Sequence, residues 1–157
     1  YIAAHAAAPL LVAKPGGLLV FTSAPGAVNY AHGPAYGAQK AGTDKMSADM
    51  AVDLRPFGVA SVSIWMGLLK TARSASSMAE KPGQFDFLLP YMETPDFTGR
   101  IIAAIHNDPD MMALSGRTII GAEQAKEYGV LDLDGSSPNS LRPVTGGPFK
   151  YDDLIID

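Results

Sequence analysis

The sequence contains no cysteine among its 157 residues. Disulfide scaffolds and thiolate metal sites are therefore excluded. Charged residues are scarce at 18%, below the roughly 25% of an average domain, and this scarcity predicts that part of the surface lies against a partner. The longest apolar stretch, residues 2–13, is interrupted by His5 and Pro9 and is too short to span a bilayer, so no membrane segment is expected.

A strongly basic balance is also lacking, because the formal net charge is −4, and this argues against a nucleic-acid partner. Hydrophobic residues make up 47% of the chain, a normal globular share that excludes a disordered tail. The length predicts a single domain over 1–157. The first residues are typical of the middle of a helix, with no initiator Met and no basic leader, so we expect a piece of a longer protein.

Buried strands and helices alternate along the chain. Continuous apolar runs bounded by turn residues predict strands at 18–21, 59–65 and 117–121. Helix-favouring composition and terminal Pro or Gly residues predict helices over 1–14, 35–54 and 95–107. This order predicts an α/β fold with a parallel sheet of about three strands and flanking helices. Three strands are few for a buried parallel sheet, so we expect the missing neighbours to precede residue 1.

The most informative pattern combines Ser23, Tyr36 and Lys40. Tyr36 and Lys40 are four residues apart at the head of a predicted helix, so their side chains share one face. Ser23 directly follows a predicted strand, and ligands of open parallel sheets bind at that end. A free tyrosine loses its proton only near pH ~10, but a nearby ammonium stabilises the phenolate. The serine hydroxyl can hold the reacting oxygen, so the trio suits proton transfer to a carbonyl or alcohol.

The segments GLLVFTSAPG, AYGAQKAG and SVSIWMGLLKT, at residues 17–26, 35–42 and 61–71, resemble the second half of a short-chain dehydrogenase/reductase. The resemblance implies a Rossmann-type fold, with Tyr36 as catalytic acid-base. It also implies that Lys40 binds the nicotinamide ribose and that Ser23 orients the substrate carbonyl. The cofactor would be NAD or NADP.

The next part of the resemblance concerns the nicotinamide end of the cofactor. The family has Pro-Gly after the next strand and a threonine four residues past that glycine. Here these positions are Met66, Gly67 and Thr71, so the proline is replaced. The resemblance implies that this segment, with Leu69, binds the cofactor through contacts that survive the replacement.

The glycine-rich pyrophosphate loop of the family is absent from this sequence, and so is the catalytic asparagine at its usual place. The chain therefore resembles the C-terminal, catalytic half of a doubly wound parallel sheet, without the glycine-rich N-terminal half. The segment ALSGRTIIGAEQAKEYGVLDLDG, at 113–135, is similar to a mammalian subgroup of the same family. We expect an irregular tail over 131–157.

Further residues complete the predicted site and its surroundings. His32 and Trp65 are candidate walls of the substrate pocket. Residues 72–94, with the apolar stretch 85–92, predict either a substrate lid or plain core. His5 and His106 have no second ligand at metal spacing, so no metal site is expected. Three aspartates are predicted on the solvent-facing side of helix 35–54: Asp44, Asp49 and Asp53.

The same helix carries small residues at Ala38, Ala41 and Gly42, which are compatible with core packing or with a subunit interface. Family members commonly oligomerise through this helix and the preceding one, so the resemblance implies a homo-oligomer through 1–14 and 35–54. A cytoplasmic location is expected as well.

The leading functional hypothesis is an NAD(P)-dependent oxidoreductase, present here as a C-terminal fragment, that acts on a small carbonyl or alcohol substrate. The fragment alone is expected to be inactive. One alternative is a non-catalytic scaffold, or a half-enzyme that needs a complementing chain. Another is an unrelated flavodoxin-like binding domain with a chance Tyr-Lys pair.

Overall fold

A computed structural model describes residues 1–152 and 155–156. Its helices are α1 (Ile2–Leu11), α2 (Pro34–Leu54), α3 (Ala72–Glu80), α4 (Pro95–Asn107), α5 (Gly121–Tyr128) and α6 (Arg142–Thr145). Its strands are β1 (Leu18–Ser23), β2 (Ala60–Trp65), β3 (Leu68–Leu69), β4 (Met92–Glu93) and β5 (Thr118–Ile120). Short 3-10 turns cover Pro25–Ala27, Arg55–Phe57, Asp86–Tyr91 and Met111–Leu114. None of the described helices is both long and apolar enough to cross a membrane.

The main sheet is parallel, with strand order β1-β2-β5. The registers bring Ser23 opposite Trp65, and Trp65 opposite Ile120. The carboxyl ends of the three strands are therefore level, and the segments that follow them start from one edge of the sheet. The predicted α/β fold with a parallel sheet and flanking helices is confirmed. Within the described residues, β1 pairs only with β2 and lies at an edge of the sheet.

One face of β2 forms the apolar core against α4. The residues of β2 and α4 that meet in this core have no solvent-exposed surface. The core cluster contains Ala60, Val62, Ile64, Phe97, Ile101, Ile105, Met111, Leu114, Ile119 and Ala125. Alternation of side chains along β2 leaves Ser61, Ser63 and Trp65 for the opposite face.

That opposite face packs on α2 through polar contacts. Ser47 and Ser61 share a buried hydrogen bond of 3.2 Å. Asp44 accepts from the Ser63 hydroxyl at 2.6 Å and from the Trp65 indole N–H at 2.8 Å. The prediction that Asp44 faces solvent is wrong, because its side chain is buried against β2, whereas Asp49 and Asp53 are exposed. A carboxylate is tolerated there because the facing strand supplies two donors.

Several features of the fold were not predicted from the sequence, including the short helix α6, which lies within the tail that was expected to be irregular. The two-residue strands β3 and β4 pair in parallel, with Leu68 opposite Met92 and Leu69 opposite Glu93. Helix α5 (Gly121–Tyr128) starts immediately after β5 and is followed by Gly129, which has a φ of 66°. A glycine in this conformation is a common helix end, so it was the available signal for α5.

Candidate active site

Tyr36 and Lys40 lie in the first turns of α2, which begins with Pro34 after Gly33. Proline suits the first helical position because its missing N–H has no helical acceptor there. The Lys40 ammonium nitrogen lies 5.6 Å from the centre of the Tyr36 ring. At this distance the cation is attracted to the face of the ring. The structure thus brings this predicted pair together.

The Tyr36 ring packs closely against the turn that follows β1. A Cβ atom at Gly26 would lie 2.3 Å from Cε1 of Tyr36, closer than real Cβ atoms approach a ring. A Cβ at Gly37 would lie 3.2 Å from the Gly26 carbonyl oxygen. Both glycines therefore allow the turn and the helix to approach each other. Sequence reasoning did not assign Gly26 to the site, although it stands three residues after Ser23.

The His32 ring contacts the Tyr36 ring edge to face. The centres of the two rings are 5.1 Å apart, with the rings nearly perpendicular at 82°. His32 has a φ of 55°, a left-handed conformation that costs energy for a residue with a side chain. The imidazole is exposed. The predicted pocket residue His32 therefore lies beside the phenol ring and is open to solvent.

Ser23, at the end of β1, is completely buried. Its hydroxyl donates a long hydrogen bond of 3.5 Å to the main-chain oxygen of Lys40. Its own carbonyl oxygen accepts from the Met66 N–H at 3.3 Å. Ser23 therefore links the turns of α2 that carry the Tyr36–Lys40 pair to the segment after β2.

Trp65 is buried at the end of β2, where its indole N–H donates to Asp44. It also borders a small cavity lined by residues of the loop after β1, the segment after β2 and the C-terminal tail. Asn29 Nδ2 donates to the Thr145 carbonyl oxygen at 2.6 Å, which fixes the tail to the loop. The tail thus reaches the edge of the sheet where the predicted site residues lie, a position that its sequence does not indicate.

The segment after β2 is held by residues 92–93. The Lys70 N–H donates to the Glu93 main-chain oxygen at 2.7 Å, next to the Leu69–Glu93 pair of the β3–β4 ladder. Thr71 starts α3: its hydroxyl accepts from the Ser74 N–H, and the Ser74 hydroxyl accepts from the Thr71 N–H. One continuous stretch from the end of β2 to the start of α3 therefore contains Met66, Gly67, Leu69 and Thr71.

A cavity of about 310 Å³ lies between this stretch, α3 and the turn Asp86–Tyr91. Its walls are mainly apolar, with hydroxyl groups and one guanidinium. The lining residues are Leu68, Leu69, Thr71, Arg73, Ser74, Ser77, Met78, Phe85, Leu88 and Met92. Residues 73–92 therefore contribute one side of this open cavity.

The carboxylates of Glu93 and Asp132 lie next to the segment after β2, at Gly67 and Lys70 respectively. Burial raises the pKa of Glu93, a shift that the Gly67 N–H and the Thr98 hydroxyl partly offset and that nearby Asp132 increases. Burial also raises the pKa of Asp132, but hydrogen bonds from the Thr94 hydroxyl, the Thr94 N–H and the Leu133 N–H, together with the nearby Lys70 ammonium, lower it overall. Within residues 1–152 and 155–156, no three His, Asp or Glu side chains come close enough to hold a metal ion.

The parallel sheet, with the Tyr36–Lys40 pair beyond its carboxyl edge, defines an α/β protein of the Rossmann type. The sequence model of the family described as short chain dehydrogenase matches residues 1–82. The human protein named Dehydrogenase/reductase SDR family member 1 is 35% identical over 135 residues, which cover 82% of this chain and 43% of that protein. The chain belongs to the short chain dehydrogenase family. It spans less than half the length of the curated relatives that it matches.

Solved structures agree with this fold. A short chain dehydrogenase from Shigella flexneri 2a, complexed with NADP, is 26% identical with a TM-score of 0.58, covering 75% of this chain and 46% of that chain. An oxidoreductase of the family from Burkholderia thailandensis is 22% identical with a TM-score of 0.65, covering 76% of this chain and 49% of that chain. The second similarity supports the fold alone.

Proposed function

We propose that this chain is the catalytic half of an NAD(P)-dependent oxidoreductase that interconverts a carbonyl and an alcohol. The observation that carries the proposal is the Tyr36–Lys40 pair, with the ammonium 5.6 Å from the ring centre, at the head of α2 in a member of this family. The pair lies just beyond the carboxyl edge of the sheet, where open α/β folds bind their ligands.

The residues present fit a nicotinamide cofactor. Lys40 offers an ammonium for the ribose hydroxyls, and the exposed Thr71 offers a hydroxyl for the carboxamide. Met66, Gly67 and Leu69 contribute main-chain groups, for which the side chain at position 66 matters little. A bound reduced cofactor supplies the hydride, and the similar Shigella protein is complexed with NADP.

Tyr36 supplies the proton in this proposal. Its hydroxyl donates a proton to the substrate oxygen as the carbonyl is reduced, and the Lys40 ammonium stabilises the phenolate that remains. The Ser23 hydroxyl orients the substrate oxygen. Because Ser23 is completely buried in this structure, that contact requires a covering segment to move. In the oxidation direction the alcohol would return its hydroxyl proton to the Tyr36 phenolate and its hydride to the oxidised cofactor.

The cavity of about 310 Å³ supports an apolar substrate, with residues 72–94 as its lid. His32, which is exposed beside Tyr36, and Trp65, which borders the separate small cavity, do not line this larger cavity but belong to the proposed substrate site. A homo-oligomer through α1 and α2 in the cytoplasm belongs to the same proposal. The strongly exposed Tyr1, Ile2 and Leu10 on or next to α1 support it.

The proposal requires a glycine-rich dinucleotide-binding half, either in the same polypeptide or in a complementing chain. The free edge of β1 supports this, because within the described residues it has no strand partner and is interior in a doubly wound sheet. The second candidate, a half-enzyme completed by another chain, rests on the same edge. Membership of an enzyme family does not favour the scaffold alternative.

Cofactor titration tests the proposal directly. We expect residues 1–157 alone to bind NADH or NADPH at least about 100-fold more weakly than the same residues joined to a glycine-rich half, because no helix N-terminus receives the pyrophosphate. The joined protein should oxidise reduced cofactor in the presence of an apolar ketone or aldehyde. Calorimetry and cofactor absorbance are the measurements. Micromolar binding by a verified monomer of residues 1–157 would contradict the requirement for the second half.

Replacing Lys40 by Met in the joined protein should raise the Kd for the cofactor by about 10–100-fold, the value of a lost charge-assisted hydrogen bond. Turnover should also fall, because the phenolate of Tyr36 loses its stabilising charge. Lys45→Met is the matched control, since Lys45 is exposed one turn further along α2 and pairs with Asp49. Equal cofactor affinity in both variants would remove Lys40 from the site.

A further inference from the structure

Glu93 has a completely buried side chain. Charged side chains are almost never buried in this way unless they are paired. Among the residues that the structure describes, no lysine, arginine or histidine forms a salt bridge with it. Asp132, whose charge has the same sign, raises the pKa of Glu93 further. Burial of the Glu93 carboxyl group without a positively charged partner costs solvation free energy, so its presence at this place indicates a function.

The carboxylate has one ordinary hydrogen bond and one unusual contact. Oε1 accepts from the Thr98 hydroxyl at 3.1 Å. Among the described residues Oε2 has no hydrogen-bond partner that meets distance and angle criteria, although the nearby Gly67 N–H lowers the pKa of the carboxyl group. A Cβ at position 67 would lie 2.6 Å from Oε2 and 2.9 Å from the Tyr91 carbonyl oxygen. Oε2 therefore lies directly against the backbone of Gly67.

We propose that Glu93 is a positioning residue for the cofactor. It holds the turn at Met66–Leu69 in the conformation that receives the nicotinamide end, so it sets cofactor affinity without touching the cofactor. This inference rests on the proposed function, because it assigns that turn to cofactor binding. Its basis is geometric: one residue contacts the start of the turn and also its end.

The two contacts act together. At the start of the turn, the Glu93 carboxylate packs on Gly67, where no side chain separates it from the backbone. At the end, the Glu93 main-chain oxygen accepts from the Lys70 N–H, next to its ladder pairing with Leu69. The turn between these two points has little freedom to shift. Glycine at 67 and glutamate at 93 are therefore complementary in size, because a side chain at position 67 would take the space that the Glu93 carboxylate occupies.

Burial in an apolar site favours the protonated acid, in agreement with the raised pKa of Glu93. A well-packed apolar residue of similar volume is often as stable as a buried charged group. Folding alone therefore does not call for a carboxyl at this position. The positioning role explains why the carboxyl group lies against the turn at 66–69 and not elsewhere in the core.

The test compares Glu93→Ala and Glu93→Gln with the wild type, all in the protein joined to its dinucleotide-binding half. Amide hydrogen exchange of residues 66–71 without cofactor reports on the turn, and the Kd for NADPH reports on binding. We expect Glu93→Ala to speed exchange and raise the Kd, each by about 10-fold or more. Glu93→Gln, which keeps the shape, should restore most of both.

Ser61→Ala is the control for a purely structural effect. It removes another completely buried polar group, at the opposite end of β2. It should lower the melting temperature without changing exchange in 66–71 or the NADPH affinity. If Glu93→Ala behaves in the same way, the positioning role is overturned.

A double-mutant cycle with Gly67→Ala isolates the contact. We expect Gly67→Ala alone to raise the Kd, and the effects of Gly67→Ala and Glu93→Ala to be non-additive because each disturbs one shared contact. Additive effects on the Kd would overturn the inference. A wild-type protein that binds neither NADH nor NADPH overturns the proposed function together with the inference. Wild-type binding with unaffected variants overturns the inference alone.

Discussion

Replacing Tyr36 by Phe should lower turnover by about 10²–10⁴-fold in the protein joined to its dinucleotide-binding half. The substitution removes the hydroxyl that donates the proton but keeps the ring. The packing of that ring against Gly26, His32 and the Lys40 ammonium is therefore preserved. We expect the melting temperature and the cofactor Kd to stay close to wild-type values, so the loss should appear in kcat. Steady-state kinetics with a ketone substrate, together with thermal denaturation, make the measurement.

Tyr30→Phe is the matched control for this prediction. Tyr30 precedes α2 by a few residues and its side chain is 88% exposed, so the loss of its hydroxyl should leave turnover unchanged. A Tyr36→Phe protein that reduces the same ketone at the wild-type rate would refute the proton-transfer mechanism. A large fall in both variants would point to a general disturbance of the loop instead.

Replacing Asp44 by Ala should lower the free energy of unfolding more than any other substitution proposed for this protein. Asp44 is buried and accepts from the Ser63 hydroxyl and the Trp65 indole N–H. Its removal leaves two buried donors unsatisfied, at a cost of roughly 1–3 kcal/mol each. We expect the free energy of unfolding to fall by about 2–6 kcal/mol, measured by urea denaturation.

Two further variants separate the hydrogen bonds from the negative charge. Asp53→Ala removes an exposed aspartate from the same helix and should change stability by less than about 0.5 kcal/mol. Asp44→Asn keeps one acceptor oxygen, so it should be intermediate between Asp44→Ala and the wild type. If Asp44→Ala and Asp53→Ala have the same effect, the contacts of Asp44 with β2 contribute nothing measurable.

The polar contact of Asp44 also bears on the site. Asp44 follows Lys40 by four residues on α2, and its partner Trp65 directly precedes Met66. The contact therefore joins the helix of the proposed acid-base to the strand that leads into the proposed cofactor segment. Sequence periodicity predicts the opposite environment for Asp44, because a carboxylate on a helix usually faces water. Only the hydroxyl and indole donors on the facing strand reverse that expectation.

Strands, helices and the Tyr36–Lys40 pair could be predicted because each depends on neighbours close in sequence. Continuous apolar runs indicate the buried strands β1, β2 and β5, and a spacing of four residues places two side chains on one helical face. The resemblance to the family was carried by motifs from the same segments, and family membership confirms it. Helix α5 also has a local signal in Gly129, which favours a helix end.

What the sequence determined by itself is therefore local: the order of the three main strands and of helices α1, α2 and α4, the parallel α/β class, and which side chains head α2. Only the tertiary structure decided that Glu93 packs on Gly67, that Asp44 is buried, and that the tail at Thr145 reaches the loop after β1. These contacts join residues 19 to 116 positions apart, so no pattern within one element encodes them. They form when apolar burial brings the elements together, and the donors and acceptors left between them must then find partners.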